Sequence, residues 1–174
     1  LSTEAGLFAR KLVERDVHAK DLAMADVDGD GDVDLVVESD GGFPVQRSLL
    51  LLNDGDGSFT AAPENTDGVF PGQFSVNAND LADVNGDGAP DLIVGPEREV
   101  GGNEASRGQV VLNDGSGTFK DTESVTLPLP AFNDGFVVAS AVDHTDINHD
   151  GLQDILVAVS RQILAGQAGQ GPDD

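Results

Sequence analysis

The stretch Asp26–Asp34 reads DVDGDGDVD, which puts carboxylates at loop positions 1, 3, 5, 7 and 9 and glycine at position 6. Ca²⁺ takes roughly six to eight oxygen ligands at about 2.3–2.6 Å, and alternate residues of a tight turn can supply them. Glycine at position 6 allows the positive φ that the reversal of the chain requires. The predicted ligands are four side-chain carboxylates and, at position 7, a backbone carbonyl: Asp26, Asp28, Asp30, Asp34 and Asp32.

The same loop recurs twice, as DVNGDGAPD at 83–91 and DINHDGLQD at 146–154. Each copy has Asp or Asn at positions 1, 3 and 5, Gly at 6 and Asp at 9. Asn at position 3 of both later loops lowers the ligand charge, which predicts weaker binding there than in the first loop. A solvated turn without metal is disfavoured, because carboxylates packed this closely repel one another. The sequence therefore predicts up to three structural Ca²⁺ sites.

An EF-hand is the alternative interpretation of such a loop, and the following residues argue against it. An EF-hand needs a bidentate Glu at position 12 and flanking helices. Position 12 is Val37, Val94 or Val157, and the residues after position 9 are short apolar runs typical of buried strands.

A second motif follows each of the first two loops: LLNDGDGSF at 51–59 and VLNDGSGTF at 111–119. Asn-Asp-Gly is a strong hairpin signal, because these residues tolerate left-handed backbone conformations. The three loops start 57 and 63 positions apart. A period near 60 with four short strands a unit predicts an all-β fold of β-propeller blades, and two and a half units predict a partial propeller.

Residues 1–15 are interpreted as the end of a preceding repeat, 16–73 as repeat 1, 74–130 as repeat 2, 131–165 as a partial repeat 3 and 166–174 as a frayed tail. The predicted strands are 21–25, 34–38, 48–52, 58–62, 75–82, 91–95, 109–112, 118–122, 136–141 and 155–159. A further strand is expected to start at Ile163, and Phe59 and Phe119 are expected to anchor the core between blades.

Composition narrows the function classes. The 174 residues carry a net charge of −23 with only nine Lys and Arg, which disfavours binding to nucleic acid or anionic lipid. There is no cysteine, hence no disulfide or zinc-thiolate site, and no apolar run is long enough for a membrane span. The chain begins at Leu1 without a signal-peptide pattern, so we expect it to be a segment of a longer protein. Rigidity taken from calcium instead of disulfides fits an extracellular location.

The paired motifs resemble the FG-GAP-like or VCBS repeats of secreted bacterial proteins, which are related to the calcium-loop blades of integrin α-subunit propellers. The resemblance covers roughly residues 4–160. It implies Ca²⁺ ligands at the odd positions of all three loops, with position 7 as a backbone donor. These residues are Asp26, Asp28, Asp30, Asp32, Asp34, Asp83, Asn85, Asp87, Ala89, Asp91, Asp146, Asn148, Asp150, Leu152 and Asp154.

Catalysis within the chain is not expected. Ser140, Asp143 and His144 are close in sequence, but a catalytic triad is normally assembled from distant segments. His149, at position 4 of the third loop, is interpreted as a solvated turn residue. The number of acidic residues alone does not exclude the acid/base pair of a glycosidase, but most Asp residues belong to loops or turns. The absence of Trp and Tyr argues against a sugar-stacking platform.

We therefore expect a calcium-binding module of a secreted or cell-surface protein that mediates adhesion, with loops 97–108 and 41–47 facing a protein or glycan partner. The alternative is an accessory domain of a secreted polysaccharide-degrading enzyme with catalysis elsewhere. An open arc of blades would leave two faces uncovered, for the remaining blades of a larger parent chain or for self-association.

Overall fold

The computed structural model describes residues 19–39, 49–62, 78–95, 108–128 and 135–163, and within these ranges every regular element is a β-strand. The strands are β1 (Ala19–Ala25), β2 (Asp34–Ser39), β3 (Leu49–Asn53), β4 (Phe59–Ala61), β5 (Asn79–Ala82), β6 (Asp91–Val94), β7 (Gln109–Asn113), β8 (Phe119–Thr126), β9 (Gly135–Thr145) and β10 (Asp154–Ile163). No helix in these ranges is long and apolar enough to cross a membrane.

All strand pairs are antiparallel, and each sheet follows chain order. The first sheet is β1-β2-β3-β4, the second is β5-β6-β7-β8, and the third contains β9 and β10. The three acidic loops join the first and second strands of each sheet, and the register brackets them identically: Ala25 pairs with Asp34, Ala82 with Asp91 and Thr145 with Asp154. The all-β fold of antiparallel blades in a partial, unclosed propeller is confirmed.

The sheets stack on one another, with their first strands adjacent. β5 contacts β1 on one side and β9 on the other. One apolar cluster includes Val36 and Leu50 of the first sheet with Leu92, Val111 and Phe119 of the second. A second cluster forms from Ala82, Ile93 and Val110 of the second sheet, with Val142 and Ile155 of the third packed against it. The middle sheet is thus covered on both faces, as a blade between two neighbours would be.

Several predictions about individual residues need correction. Phe119 is buried at 2 % exposure in the cluster with residues of the first sheet, as expected of a core anchor between blades. Phe59 is only half-buried and lies outside that cluster, because among the described residues no sheet precedes the first one. Ile163 ends β10 instead of starting a new strand. β8, β9 and β10 are longer than predicted, since polar residues continue their ladders.

Other predictions fall on residues outside the described ranges. These are the end of a preceding repeat at 1–15, the frayed tail at 166–174 and the partner-facing loops at 41–47 and 97–107.

Candidate metal centres

The three acidic loops share one hydrogen-bond pattern. In each, the position 1 Asp accepts a hydrogen bond from the N–H of the position 6 Gly, at 2.9, 2.9 and 3.0 Å in chain order. The side chain at position 3 accepts from the N–H of position 5, and the Asp at position 5 accepts from the N–H of position 7. These bonds hold the odd-numbered side chains inside the turn. A carboxylate has about four acceptor sites, so the one to three N–H partners of these side chains leave an acceptor site for a cation.

The Asp at position 9 also has a structural role that the sequence did not reveal. Asp34 is fully buried; its Oδ2 accepts from the N–H of Val27 at 2.9 Å, and its Oδ1 accepts from the N–H of Asn53 at 2.8 Å. Asp91 is equally buried and makes the equivalent bonds to Val84 at 3.1 Å and Asn113 at 2.9 Å. The position 9 carboxylate therefore ties the acidic loop to the Asn-Asp-Gly turn of the same sheet.

The Asn of that turn is the residue that sequence reasoning missed, since we interpreted it only as a turn former. The side-chain amide of Asn53 donates to the carbonyl of Val33 at 3.2 Å, the residue before the position 9 Asp. Asn113 makes the equivalent bond to Pro90 at 3.1 Å and a further one to Val27 of the first loop at 2.8 Å. The available signal was its fixed place in the repeated motif, directly after an apolar strand.

The first loop brings three carboxylates together. Single oxygens of Asp26, Asp28 and Asp34 all lie within 4.8 Å of one another. Oxygens that share a cation at about 2.3–2.6 Å are at most about 5 Å apart, so this spacing fits Ca²⁺. Asp30 is outside that group, and its Oδ1 accepts from Asp32 N–H. The side chain of Asp32 lies over Gly55, where an added Cβ would be 2.6 Å from its Oδ2, which leaves its backbone carbonyl as the predicted donor.

In the second and third loops the predicted residues have the same hydrogen-bond pattern. At position 3, however, Asn85 and Asn148 replace Asp28, one of the three converging carboxylates of the first loop. Asp154 is half-buried, unlike its two counterparts, because the described part of its sheet has no third strand with a turn Asn to cover it. Of the position 7 residues, Ala89 and Leu152 have no side-chain ligand, in keeping with a backbone role.

His149 adopts a left-handed conformation, φ 61°, where the first two loops have Gly29 at 75° and Gly86 at 80°. Its side chain is exposed, as predicted for a solvated turn residue.

Electrostatics favour a cation in the first loop. Burial raises the pKa of Asp28, and the negative charges of Asp34, Asp30 and Asp26 raise it further, against the hydrogen bond from Asp30 N–H. A cation would relieve this repulsion. In the second loop, burial raises the pKa of Asp91, while the hydrogen bonds from Ala89 N–H and the Asn85 side chain lower the pKa of Asp87.

The first two loops lie at the same edge of the stack. They face each other across an open cleft of about 230 Å³, lined on one side by Asp26, Val27 and Gly29 and on the other by residues 87–90 and Gly115. The third loop continues the row, since an added Cβ at Gly86 would lie 3.5 Å from Leu152 Cδ2.

A histidine–aspartate pair joins the second and third sheets. His144 Nδ1 lies 2.7 Å from Asp80 Oδ2, and an oxygen of Asp143 completes a group of three potential ligand atoms within 4.8 Å. Ser140 Oγ donates to the carbonyl of Ala158 at 3.2 Å, so its hydroxyl hydrogen is directed into the β9–β10 pair and not toward His144.

Comparison with known proteins identifies the repeat. A family model described as an FG-GAP-like repeat matches residues 26–94 and 83–157, which together span most of the chain and contain all three acidic loops. No curated protein matches it significantly.

Proposed function

The chain belongs to the FG-GAP-like repeat family, and on that premise we propose that it is a calcium-stabilised propeller module of a secreted or cell-surface protein that mediates adhesion to a protein or glycan. In this proposal Ca²⁺ is structural and the module itself has no catalytic role. The observation that carries the calcium proposal is the convergence of Asp26, Asp28 and Asp34 oxygens within 4.8 Å.

The donor set supports Ca²⁺ over a transition metal. Within the three loops the side chains at odd positions offer only carboxylate and amide oxygens, the ligands of hard cations, and no cysteine exists in the chain. Mg²⁺ demands near-ideal octahedral geometry at about 2.0–2.1 Å, whereas the turn offers irregularly placed oxygens that suit Ca²⁺.

A structural role follows from where the position 9 residues lie. Asp34 and Asp91 are buried and hold both ends of the loop and the neighbouring turn through backbone N–H groups. An ion bound by the same carboxylate would fasten three strands of one sheet at once. Such a tie would stiffen the blade edge.

The end faces of the stack support a place in a larger ring, as further blades or a second copy. Val36, Ile93 and Leu156 occupy the same place in the three sheets, two residues after the position 9 Asp. Val36 and Ile93 face the next sheet and are fully buried, whereas Leu156 is 41 % exposed. On the opposite face Met24 is 62 % exposed, while its counterpart Leu81 is 5 % exposed. Each end of the stack thus exposes a surface whose counterpart at an internal junction is covered by the next sheet.

Calcium titration by isothermal calorimetry tests the proposal, with Asp28→Asn as the matched variant. This substitution gives the first loop the Asn that the other two loops carry at position 3. We expect Ca²⁺ binding in wild type and at least a fivefold loss of affinity at the tightest site in the variant, because one ligand charge is removed. The calcium proposal would be contradicted if wild type showed no binding of Ca²⁺, or if it bound Ca²⁺ and Mg²⁺ with equal affinity.

The adhesion part needs a separate measurement. Glycan-array and extracellular-matrix binding of the calcium-loaded protein, with EGTA as control, is expected to give calcium-dependent retention on a protein or glycan ligand. Retention that is unaffected by EGTA, or no retention on either surface, would count against an adhesion module while leaving the calcium sites intact.

A further inference from the structure

The junction between the first and second sheets carries polar residues where the next junction is apolar. Asp21 and Glu38 are paired across β1 and β2. Counted from their acidic loops, their counterparts in the second sheet are Ala78 and Gly95, which are joined by a hydrogen bond from Gly95 N–H to Ala78 O at 2.9 Å. At the first junction two acids, Asp21 and Glu38, therefore stand where the second junction has two of the smallest residues, Ala78 and Gly95.

The second junction shows what such a pair faces. A Cβ added at Gly95 would lie 2.6 Å from Ala139 Cβ and 3.1 Å from Val142 Cγ2 of the third sheet. Val142 lies four residues before the third loop, and the residue four before the second loop is Asn79. By the repeat, Asn79 therefore projects its side chain toward Glu38 as Val142 projects toward Gly95.

Contacts at the first junction agree with this placement. The backbone N–H of Asn79 donates to Asp21 Oδ2 at 2.9 Å. Asn79 is 5 % exposed and Glu38 is fully buried. Leu81, which shares its face of β5 with Asn79, packs in the core cluster with Ala23 and Val36 of the first sheet.

The side chain of Asn79 carries a second, independent signal. Both its Oδ1 and its Nδ2 are buried and have no hydrogen-bond partner among the described residues. Leaving a buried polar group unsatisfied costs about 1–3 kcal/mol, and native proteins seldom tolerate it without a bound water or ion. By the repeat register this side chain lies on the face of β5 that packs on the first sheet, where Asp21 and Glu38 are paired. An amide oxygen and two carboxylates are donors that a hard cation prefers.

We propose that Asp21, Glu38 and the Oδ1 of Asn79 form an additional site for a divalent, oxygen-preferring cation between the first and second sheets. This site is distinct from the acidic loops, since its residues lie on strands four or five positions away from them. It binds the first strand of one blade to the first strand of the next, whereas each loop site lies within one blade. The second junction lacks it, because Ala78, Gly95 and Val142 offer no side-chain oxygen.

Equilibrium dialysis against ⁴⁵Ca²⁺ at saturation, which counts ions per folded chain, tests the proposal. The variant Glu38→Gln/Asn79→Val removes one charge and places at 79 the residue that the second junction uses. It is expected to bind one Ca²⁺ fewer than wild type. The control Val142→Asn adds an amide at the matching position of the second junction, where Ala78 and Gly95 stand in place of the two acids, and it is expected to bind the same number as wild type. An unchanged count in the folded double variant would overturn the proposal.

The single variant Asn79→Asp covers the case in which the double variant does not fold. A third carboxylate strengthens a real cation site and only adds repulsion to an empty one. We expect its melting temperature to fall in EGTA and to rise more than that of wild type on addition of Ca²⁺. Equal lowering in both conditions would overturn the proposal. Failure of the loop sites would be distinguishable, because it would lower the ion count of wild type and of the double variant alike.

Discussion

Replacing Asp91 with Ala is expected to destabilise the protein even without calcium. The carboxylate is fully buried and accepts hydrogen bonds from Val84 N–H at 3.1 Å and Asn113 N–H at 2.9 Å. Hydrogen bonds to a charged group contribute about 1.5–3 kcal/mol each, so the pair contributes about 3–6 kcal/mol before opposing terms. Burial raises the pKa of Asp91, which shows that desolvation of its charge offsets part of that gain.

We therefore expect the variant to lose about 3 kcal/mol of unfolding free energy, at the lower end of that range. For a chain of this size, about 2–4 °C of melting temperature corresponds to each kcal/mol, so the transition should fall by about 6–12 °C. The assay is a thermal melt by circular dichroism in excess EGTA, where no ion contributes.

Asp87→Asn is the matched control in the same loop. Asp87 is exposed, and an Asn there keeps the acceptor for Ala89 N–H and loses only the acceptor for the Asn85 side chain. Its melt in EGTA should therefore fall far less than that of Asp91→Ala, while its calcium response weakens. The reasoning would be refuted if Asp91→Ala melted with wild type in EGTA and differed from it only in Ca²⁺, because position 9 would then be a ligand without a structural role of its own.

Three further predictions follow from single positions and from pH. His149→Gly should stabilise the protein by about 0.5–1 kcal/mol in chemical denaturation, because His149 has φ 61° and Gly adopts that conformation without strain; equal or lower stability would contradict this, and His18→Gly, outside the loops, serves as the control for loss of a histidine. Gly95→Ala should destabilise by about 1–3 kcal/mol, since the new Cβ would be 2.6 Å from Ala139 Cβ; a melt unchanged from wild type would argue against close stacking of the second and third sheets. In EGTA the melting temperature should rise as the pH falls from 7.5 toward about 4, because the raised pKa values of Asp28 and Asp91 mean that the folded state binds protons more tightly than the unfolded chain. In excess Ca²⁺ protons compete with the ion, so the same change should lower it. The lowered pKa of Asp87 acts only below its ordinary value of 3.8, outside this pH range, and a fall in the EGTA melt would contradict the electrostatic argument.

Repetition made the fold readable from sequence. Each acidic loop is followed at once by an apolar strand. The cross-strand pairs of Ala25 with Asp34, Ala82 with Asp91 and Thr145 with Asp154 are equivalent, because the same loop closes the first hairpin of each sheet. Strand ends were less predictable. β8 runs through Asp121 and Glu123 to Thr126, because pairing with β7 and not apolar content sets its length.

The candidate sites were predictable only in part. Spacing predicted that the side chains of Asp26, Asp28, Asp30 and Asp34 would converge, since alternate residues of one turn point inward. Oxygens of all but Asp30 lie within 4.8 Å of one another. Spacing could not show that Asp34 also binds Asn53 of a distant turn, nor that Asn113 reaches back to Val27 in the preceding blade. The first contact depends on the pairing of β2 with β3, and the second depends on the stacking of the second sheet on the first. Neither is a property of a local segment.

The pairing of His144 with Asp80 is a further contact that local sequence did not reveal. The two residues are 64 positions apart and meet only because β9 stacks on β5. In sequence, His144 stood beside Ser140 and Asp143, which suggested a comparison with a triad. The stacking instead gives it a carboxylate partner in the neighbouring blade.

The most direct test of the calcium account is a thermal melt of the intact chain in excess EGTA, in millimolar Ca²⁺ and in millimolar Mg²⁺. A ligand that binds only the folded state adds about 2.7 kcal/mol per site at about 100 times its dissociation constant. The account predicts a rise of at least several degrees in Ca²⁺ and little change in Mg²⁺. Coincident melts in all three conditions, with the β-sheet signal intact, would show that the acidic loops are held by their own hydrogen bonds and need no ion.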